Sequence, residues 1–259
     1  MYYCKDIIAW LEKLAPPDTA EPWDHVGLMV GSVESQLNGV VFALDCTTDA
    51  IAKCVETGAN LLVTHHPLIY PSISCINKDT PSGKMICDLI EKQITVYSAH
   101  TNLDRAEGGV NDALCEAIGL DTFTPFAENT IERFGTWREV RSFFSSVQRI
   151  QTTLDAPGFF MNTDKDQEIK TVLVCAGAFD EEIIPLFLDK KPDLIVSGEI
   201  KHHLMLELSG HQIAAVAMGH EPTERVILPK LKQALQAEFS DIRVEFVSGL
   251  DYNKVVFRA

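Results

Sequence analysis

Three imidazoles and two carboxylates, spread over three short segments of the chain, make up the donor set that a pair of divalent metal ions needs. The first segment, LLVTHHPLIY, carries an apolar run into His65 and His66, after which Pro67 stops any strand ladder. In open α/β sheets, ligands gather at the carboxyl ends of strands, where loops leave the sheet. Adjacent side chains in a regular strand point to opposite faces, but where the backbone turns both can face one cavity and serve different ions. The second segment, VYSAHTNLDRAEGGVND, repeats the strand-then-turn pattern and puts His100 and Asp104 in the connecting loop. The third, VAMGHEPTERV, sets His220 and Glu224 four residues apart at the start of a helix, a spacing that lets side chains share one side. A carboxylate has two oxygens and can bridge two ions, a role open to Glu224.

Each feature has an ordinary structural explanation when taken singly. An isolated His-His pair is more often structural than ligating. Asp104 alone fits an Asx-type turn near Asn102, and Glu224 alone favours a helix N-terminus electrostatically. Taken together, the segments supply enough donors for two ions once bridging and water are counted. Zinc, iron and manganese all accept such nitrogen and oxygen donors, whereas thiolate-seeking metals are less favoured. His100 is not needed as a ligand and is the candidate for proton transfer, since an unperturbed imidazole titrates near neutrality. It serves equally as a hydrogen-bond partner that orients a ligand.

The elements that must position these residues show in the hydrophobic pattern. Apolar runs at 40–44, 60–64, 95–98, 171–175, 194–197, 213–218 and 243–247 read as strands, mostly rich in Val, Ile and Leu on both faces. Helical patterns lie between them at 48–57, 82–93, 109–118, 180–189, 201–208 and 222–237, with Thr47 or Thr48 able to cap the first and Pro222 suited to the first turn of the last. Strands alternating with helices predict an α/β fold: two α/β halves with mostly parallel sheets and the metal site between them at strand ends. Residues 1–125 hold the HH and HTNLD motifs, and residues 126–259 the GHEPTE motif. Residues 124–170, with a helical pattern around 139–153, read as a connection with some structure of its own.

Composition narrows the function classes. The 259 residues are 46% hydrophobic and 23% charged, as in an ordinary globular protein, with a net charge of −15 that disfavours broad nucleic-acid binding. A small phosphorylated ligand is still compatible with this charge, because metal ions invert the local field. Lys5, Asp6, Glu12 and Lys13 interrupt the N-terminal apolar pattern, so no signal peptide or membrane span is expected and the expected location is the cytoplasm. The seven cysteines are scattered and form no C-x-x-C pair, which argues against a disulfide framework or a thiolate zinc site. Ser82-Gly83-Lys84 lacks the upstream glycine spacing of a phosphate-binding P-loop.

In order along the chain, EPWDHVGLMVG, VTHHPL, SAHTNLDRAEGGVND, VSGEIKHH and GHEPTE resemble the dinuclear-metal-centre hexameric family. Its members are often called GTP cyclohydrolase I type 2 homologues and include the NGG-interacting-factor-three-like proteins. The resemblance spans nearly the whole chain and implies metal ligands at His65, His66, Asp104, His220 and Glu224, with one histidine of the pair on each ion and Glu224 bridging. It further implies a toroidal homohexamer whose metal sites open toward a central cavity. The chain departs from the family at His25, where Asn is common, and at Glu221, where an aromatic residue is common; the larger inserted domain of some relatives is not expected. Lys201-His202-His203 matches the family and reads as structural or as a subunit contact. The function these observations predict is a metal-dependent hydrolase with two divalent ions per chain (Zn, Fe or Mn). Its substrate would be a nucleotide or related small molecule, with GTP ring opening implied by the resemblance. The alternatives are a non-catalytic metal-binding or regulatory hexamer and a metal-dependent phosphoesterase.

Overall fold

The computed structural model describes residues 1–188 and 190–248. In chain order the elements are α1 (Cys4–Leu14), β1 (Gly27–Val30), β2 (Val40–Ala43), α2 (Thr48–Thr57), β3 (Leu61–Thr64), α3 (Pro81–Glu91), β4 (Thr95–Ser98) and α4 (Thr101–Arg105). There follow α5 (Val110–Ala117), β5 (Thr122–Pro125), β6 (Arg133–Ser142), α6 (Phe143–Leu154), β7 (Phe160–Met161) and β8 (Glu168–Ala178). After a 3-10 helix at Glu181–Leu188 come β9 (Leu194–Glu199), α7 (His202–Gly210), β10 (Ala214–Ala217), α8 (His220–Glu224), α9 (Ile227–Glu238) and β11 (Val244–Val247). The described residues divide into two compact units, Met1–Glu107 with Leu228–Ser248, and Gly108–Ile227.

The first unit is built on a five-stranded sheet in the order β1-β4-β3-β2-β11. All pairings are parallel except β1 with β4. Every residue of β2, β3 and β4 is buried, which explains why these segments read as unbroken apolar runs rather than alternating ones. One face of the sheet packs Val41, Leu62 and Val96 against Ala50, Ile51 and Cys54 of α2 and Ile86 and Leu89 of α3. The Thr47 hydroxyl caps α2 by accepting from the Ala50 amide at 3.1 Å, and Gly58 ends that helix in a left-handed conformation.

The second unit holds a six-stranded mixed sheet, β5-β6-β8-β9-β10-β7, parallel only along β8-β9-β10. The expectation of mostly parallel pairing therefore describes the first sheet better than the second. Residues 124–170 do more than connect: β6, α6 and β7 are members of this unit, and β6 pairs with β8. The helix expected around 139–153 starts later, at Phe143. The residues before it are extended because their buried positions alternate as Arg133, Gly135 and Trp137, a period of two that an apolar count misses. The helix expected over 222–237 is two helices, α8 and α9. Among the described residues no helix is long and apolar enough to cross a membrane.

Leu62 is fully buried at the centre of the first sheet. Leu62→Ala is expected to lower the unfolding free energy by about 2–5 kcal/mol in urea denaturation. A loss below about 1 kcal/mol would contradict this packing.

Candidate metal centre

In the first unit, the chain leaves β3 and β4 at neighbouring points and delivers three histidines together. The amides of His65 and His66 still donate to the carbonyls of Ala43 and Leu44, so the backbone keeps its sheet anchorage while the side chains turn out. Ring centroids of His65, His66 and His100 lie 4.9–5.5 Å apart. One nitrogen from each of the three falls within 4.8 Å of the others, a spacing able to hold a metal ion.

What stands behind each ring decides which nitrogen is offered. His65 Nδ1 lies 3.0 Å from the carbonyl oxygen of Ala99, His66 Nδ1 2.9 Å from Asp45 Oδ1, and His100 Nδ1 2.9 Å from Asp24 Oδ1. Carbonyl and carboxylate oxygens only accept, so each Nδ1 carries a proton, and in the neutral ring that leaves Nε2 to present its lone pair. Metal-ligating histidines are typically held by such an acceptor on the far nitrogen. His65 Nε2 faces Asp104 Oδ1 at 3.6 Å, and both residues are buried. In this tautomer both atoms are acceptors.

Asp24 is the most constrained of these groups. Its side chain is fully buried, and burial pushes its pKa up. Hydrogen bonds from His100 Nδ1, the Thr101 hydroxyl at 2.6 Å and the Thr101 amide at 3.0 Å outweigh burial and hold it well below the usual carboxylate range. Asp104 sits not in a loop, as expected, but at the end of the short helix α4. The start of that helix is tied down by Asn102, which accepts from the His100 amide at 2.9 Å and donates to the Ala15 carbonyl at 2.7 Å.

In the second unit, α8 projects His220 and Glu224 together, with His220 Nε2 3.0 Å from Glu224 Oε1. Glu199 Oε1, at the end of β9, lies 3.4 Å from His220 Nδ1. The Thr223 hydroxyl fixes α8 against the strand ends by donating to the His220 carbonyl at 2.7 Å and accepting from the Gly177 amide at 3.1 Å. Two glycines make room. A Cβ on Gly177 would collide with Glu224 Oε1 and lie 3.3 Å from His220 Nε2, and one on Gly198 would lie 2.7 Å from Thr223 Oγ1. Glu221 is buried and pairs with Arg225 at 3.3 Å, so its charge is compensated locally.

The residues named from sequence thus fall into two groups, His65, His66, His100 and Asp104 in one unit and His220 with Glu224 in the other. His25 is exposed and lies edge-on to Tyr70, and His203 pairs at the surface with Glu181. Sequence reasoning missed Asp24, Asp45 and Glu199. Asp45 and Glu199 are acidic residues at or just past the end of a strand, and that position is their one readable signal. The seven cysteines are free thiols, and burial pushes those of Cys46 and Cys54 up to about 12, which leaves them protonated and poor ligands.

Comparison with known proteins shows what the chain as a whole is similar to. A family model described as Duf34/NIF3 (NGG1p interacting factor 3) matches residues 2–251. A Clostridium perfringens protein named GTP cyclohydrolase 1 type 2 homolog is 32% identical over 93% of this chain and 94% of its own. A Methanocaldococcus jannaschii protein of the same name is 30% identical over 96% of this chain and 99% of its own. Among solved structures, reduced HcgD from Methanocaldococcus jannaschii is 28% identical with a TM-score of 0.81, covering 95% of this chain and 97% of that one. A Bacillus cereus protein related to NIF3 shares the fold at 19% identity, with a TM-score of 0.88 and 99% coverage of both chains.

Two outcomes are expected from the geometry. Gly177→Ala must displace Glu224 or strain a left-handed backbone, costing about 1–3 kcal/mol in denaturant melts; an unchanged midpoint would mean that the strand ends and α8 are not packed this closely. Asp24 has a depressed folded-state pKa, so its stabilisation is present above the unfolded carboxylate pKa of roughly 3.9 and fades as pH falls below it. The stability gap between wild type and Asp24→Asn is expected to shrink as pH falls below about 4. A gap independent of pH would contradict the ionised Asp24.

Proposed function

The chain belongs to the Duf34/NIF3 family, and on that premise we propose that it is a metal-dependent hydrolase that acts on a nucleotide or a related small molecule. The proposed ligands of two divalent ions are His65, His66, Asp104, His220 and Glu224. The observation that carries the reading is the facing of His65 Nε2 and Asp104 Oδ1 at 3.6 Å. With Nδ1 held by Ala99, a neutral His65 and an ionised Asp104 would both be lone-pair donors, the kind of pair that would hold a divalent cation. The donor set of imidazoles and carboxylates, without thiolate, fits zinc, iron or manganese.

Bound as a pair, such ions supply an activated water and stabilise negative charge on the group under attack. The chain's own contribution is orientation and proton handling. Asp45 and the Ala99 carbonyl keep the rings of His66 and His65 in the ligating tautomer. His100 is the proposed proton carrier: with Nδ1 bound to ionised Asp24, its Nε2 takes up a proton and the carboxylate steadies the resulting imidazolium. The relatives named GTP cyclohydrolase 1 type 2 homolog suggest GTP as the first nucleotide to try. The homohexamer implied by the sequence resemblance is also proposed, supported by edge strand β7, where Phe160 is 80% and Met161 42% exposed.

Elemental analysis of protein purified without chelator is expected to give about two metal equivalents per chain, lost in folded His65→Ala and Glu224→Ala variants. Failure to load metal under any condition would sink the proposal. Metal bound without turnover of GTP or other nucleotides would replace hydrolysis with metal storage, delivery or regulation. Activity on a generic phosphodiester that vanishes in Glu224→Ala would favour the phosphoesterase reading.

A further inference from the structure

Beside the histidine cluster of the first unit stands a group of aromatic rings that the metal chemistry does not use. Trp23 lies 6.1 Å from His100 and 6.2 Å from Tyr70 by ring centroids, and His25 lies 5.5 Å from Tyr70. The interplanar angles are 73°, 60° and 75°, so no ring covers the face of another. Trp23 is 54% and Tyr70 52% exposed. Large aromatic faces left in water beside a polar site mark a place where something apolar and flat is received.

The backbone on either side of the exposed indole is held in place. Glu21, two residues before it, donates its amide to Thr101 Oγ1 at 2.9 Å and pairs with Arg105 through its carboxylate. Asp24, the next residue, is tied to His100 and Thr101. The backbone carrying Trp23 is therefore pinned to α4 on both sides, so a ligand would lose little entropy in ordering it. Tyr70 follows His66 by four residues on the loop that leaves β3. An open cleft of about 650 Å³, lined by Glu21, Asp24, His25, Leu28, Ile69 and Ser72, begins beside this group at His25.

We infer that Trp23 forms a stacking platform for a planar heteroaromatic ring, with Tyr70, inclined 60° to it, closing against the edge of that ring, and that the two present it to His100 and the adjoining histidines. The inference rests on the proposed small-molecule activity and narrows its substrate to a compound with a purine-like ring. Stacking needs only the π-face of the ring, so the platform binds the base portion of a nucleoside without help from phosphate. Of the charged groups beside it, Asp24 is engaged by His100 and Glu21 by Arg105, while Asp18 lines the cleft as an exposed carboxylate, a setting that favours the uncharged base over the phosphate.

The test is equilibrium titration of the protein with guanosine, and separately with ribose 5-phosphate, in its as-purified and metal-loaded forms. Guanosine is expected to bind both forms and ribose 5-phosphate to bind far more weakly. Trp23→Ala and Tyr70→Ala should each weaken guanosine about tenfold, with Trp23→Phe restoring most of the loss. Metal content should stay at the wild-type value in all three variants, because none of these side chains is a proposed ligand. Guanosine that fails to bind wild type, or that binds Trp23→Ala and Tyr70→Ala as well as wild type, would overturn the platform. If wild type holds no metal, the metal reading fails by itself, and the same titration still decides the platform.

Discussion

The acceptor behind each imidazole is the constraint on which the candidate centre depends. A neutral histidine offers one donor and one acceptor, and nothing in the ring itself decides which nitrogen is which. Here a backbone carbonyl and two carboxylates make that decision for His65, His66 and His100, in each case by binding Nδ1. Remove the acceptor and the ring is free to flip or change tautomer, and the site loses its sense of direction even with every imidazole present. The nitrogen that each ring offers is therefore set by the residues least visible beside it.

Those acceptors are positioned by the sheet. Asp45 follows β2 and Ala99 follows β4, while His65 and His66 follow β3, which lies between them. Parallel pairing brings the carboxyl ends of neighbouring strands to the same edge, so three consecutive strands contribute ring, ring and acceptors within hydrogen-bond reach. In the second unit the same logic recurs with less bulk: Gly177 and Gly198 strip side chains from the strand ends so that α8 can settle close enough for Thr223 to bond the Gly177 amide. Large, buried apolar residues hold the strands in register, and the absence of side chains at two points lets the site approach them.

Much of this was legible in the sequence because the signals were strong and local. The run at 95–98 and the helix at 48–57 were readable to the residue, since continuous burial and a Thr cap with a closing Gly leave little ambiguity. The histidine pair and the His-x-x-x-Glu spacing stood out because both are short-range patterns. What escaped was either long-range or camouflaged. Strand β6 buries Arg133 and Gly135 where an apolar residue is the usual marker, and Arg133 is held there by an ion pair with Asp112 and a hydrogen bond to the Ile131 carbonyl. Asp24 reaches His100 across more than seventy residues of sequence, a partnership that no spacing rule encodes. Asp104 was placed in a loop because a five-residue helix is too short to display a period.

The first unit is discontinuous: it leaves the sheet after Glu107 and completes it only with β11, which pairs β2 from Val244↔Val40 to Val247↔Ala43. During synthesis the outer edge of β2, an all-buried VVFA strand, has no native neighbour until almost the whole described chain has emerged. That makes the order of translation a hazard in its own right, since an unpaired apolar edge invites pairing with the wrong chain. Occupancy of that edge by the last described strand is thus the step at which a nascent chain stops being sticky.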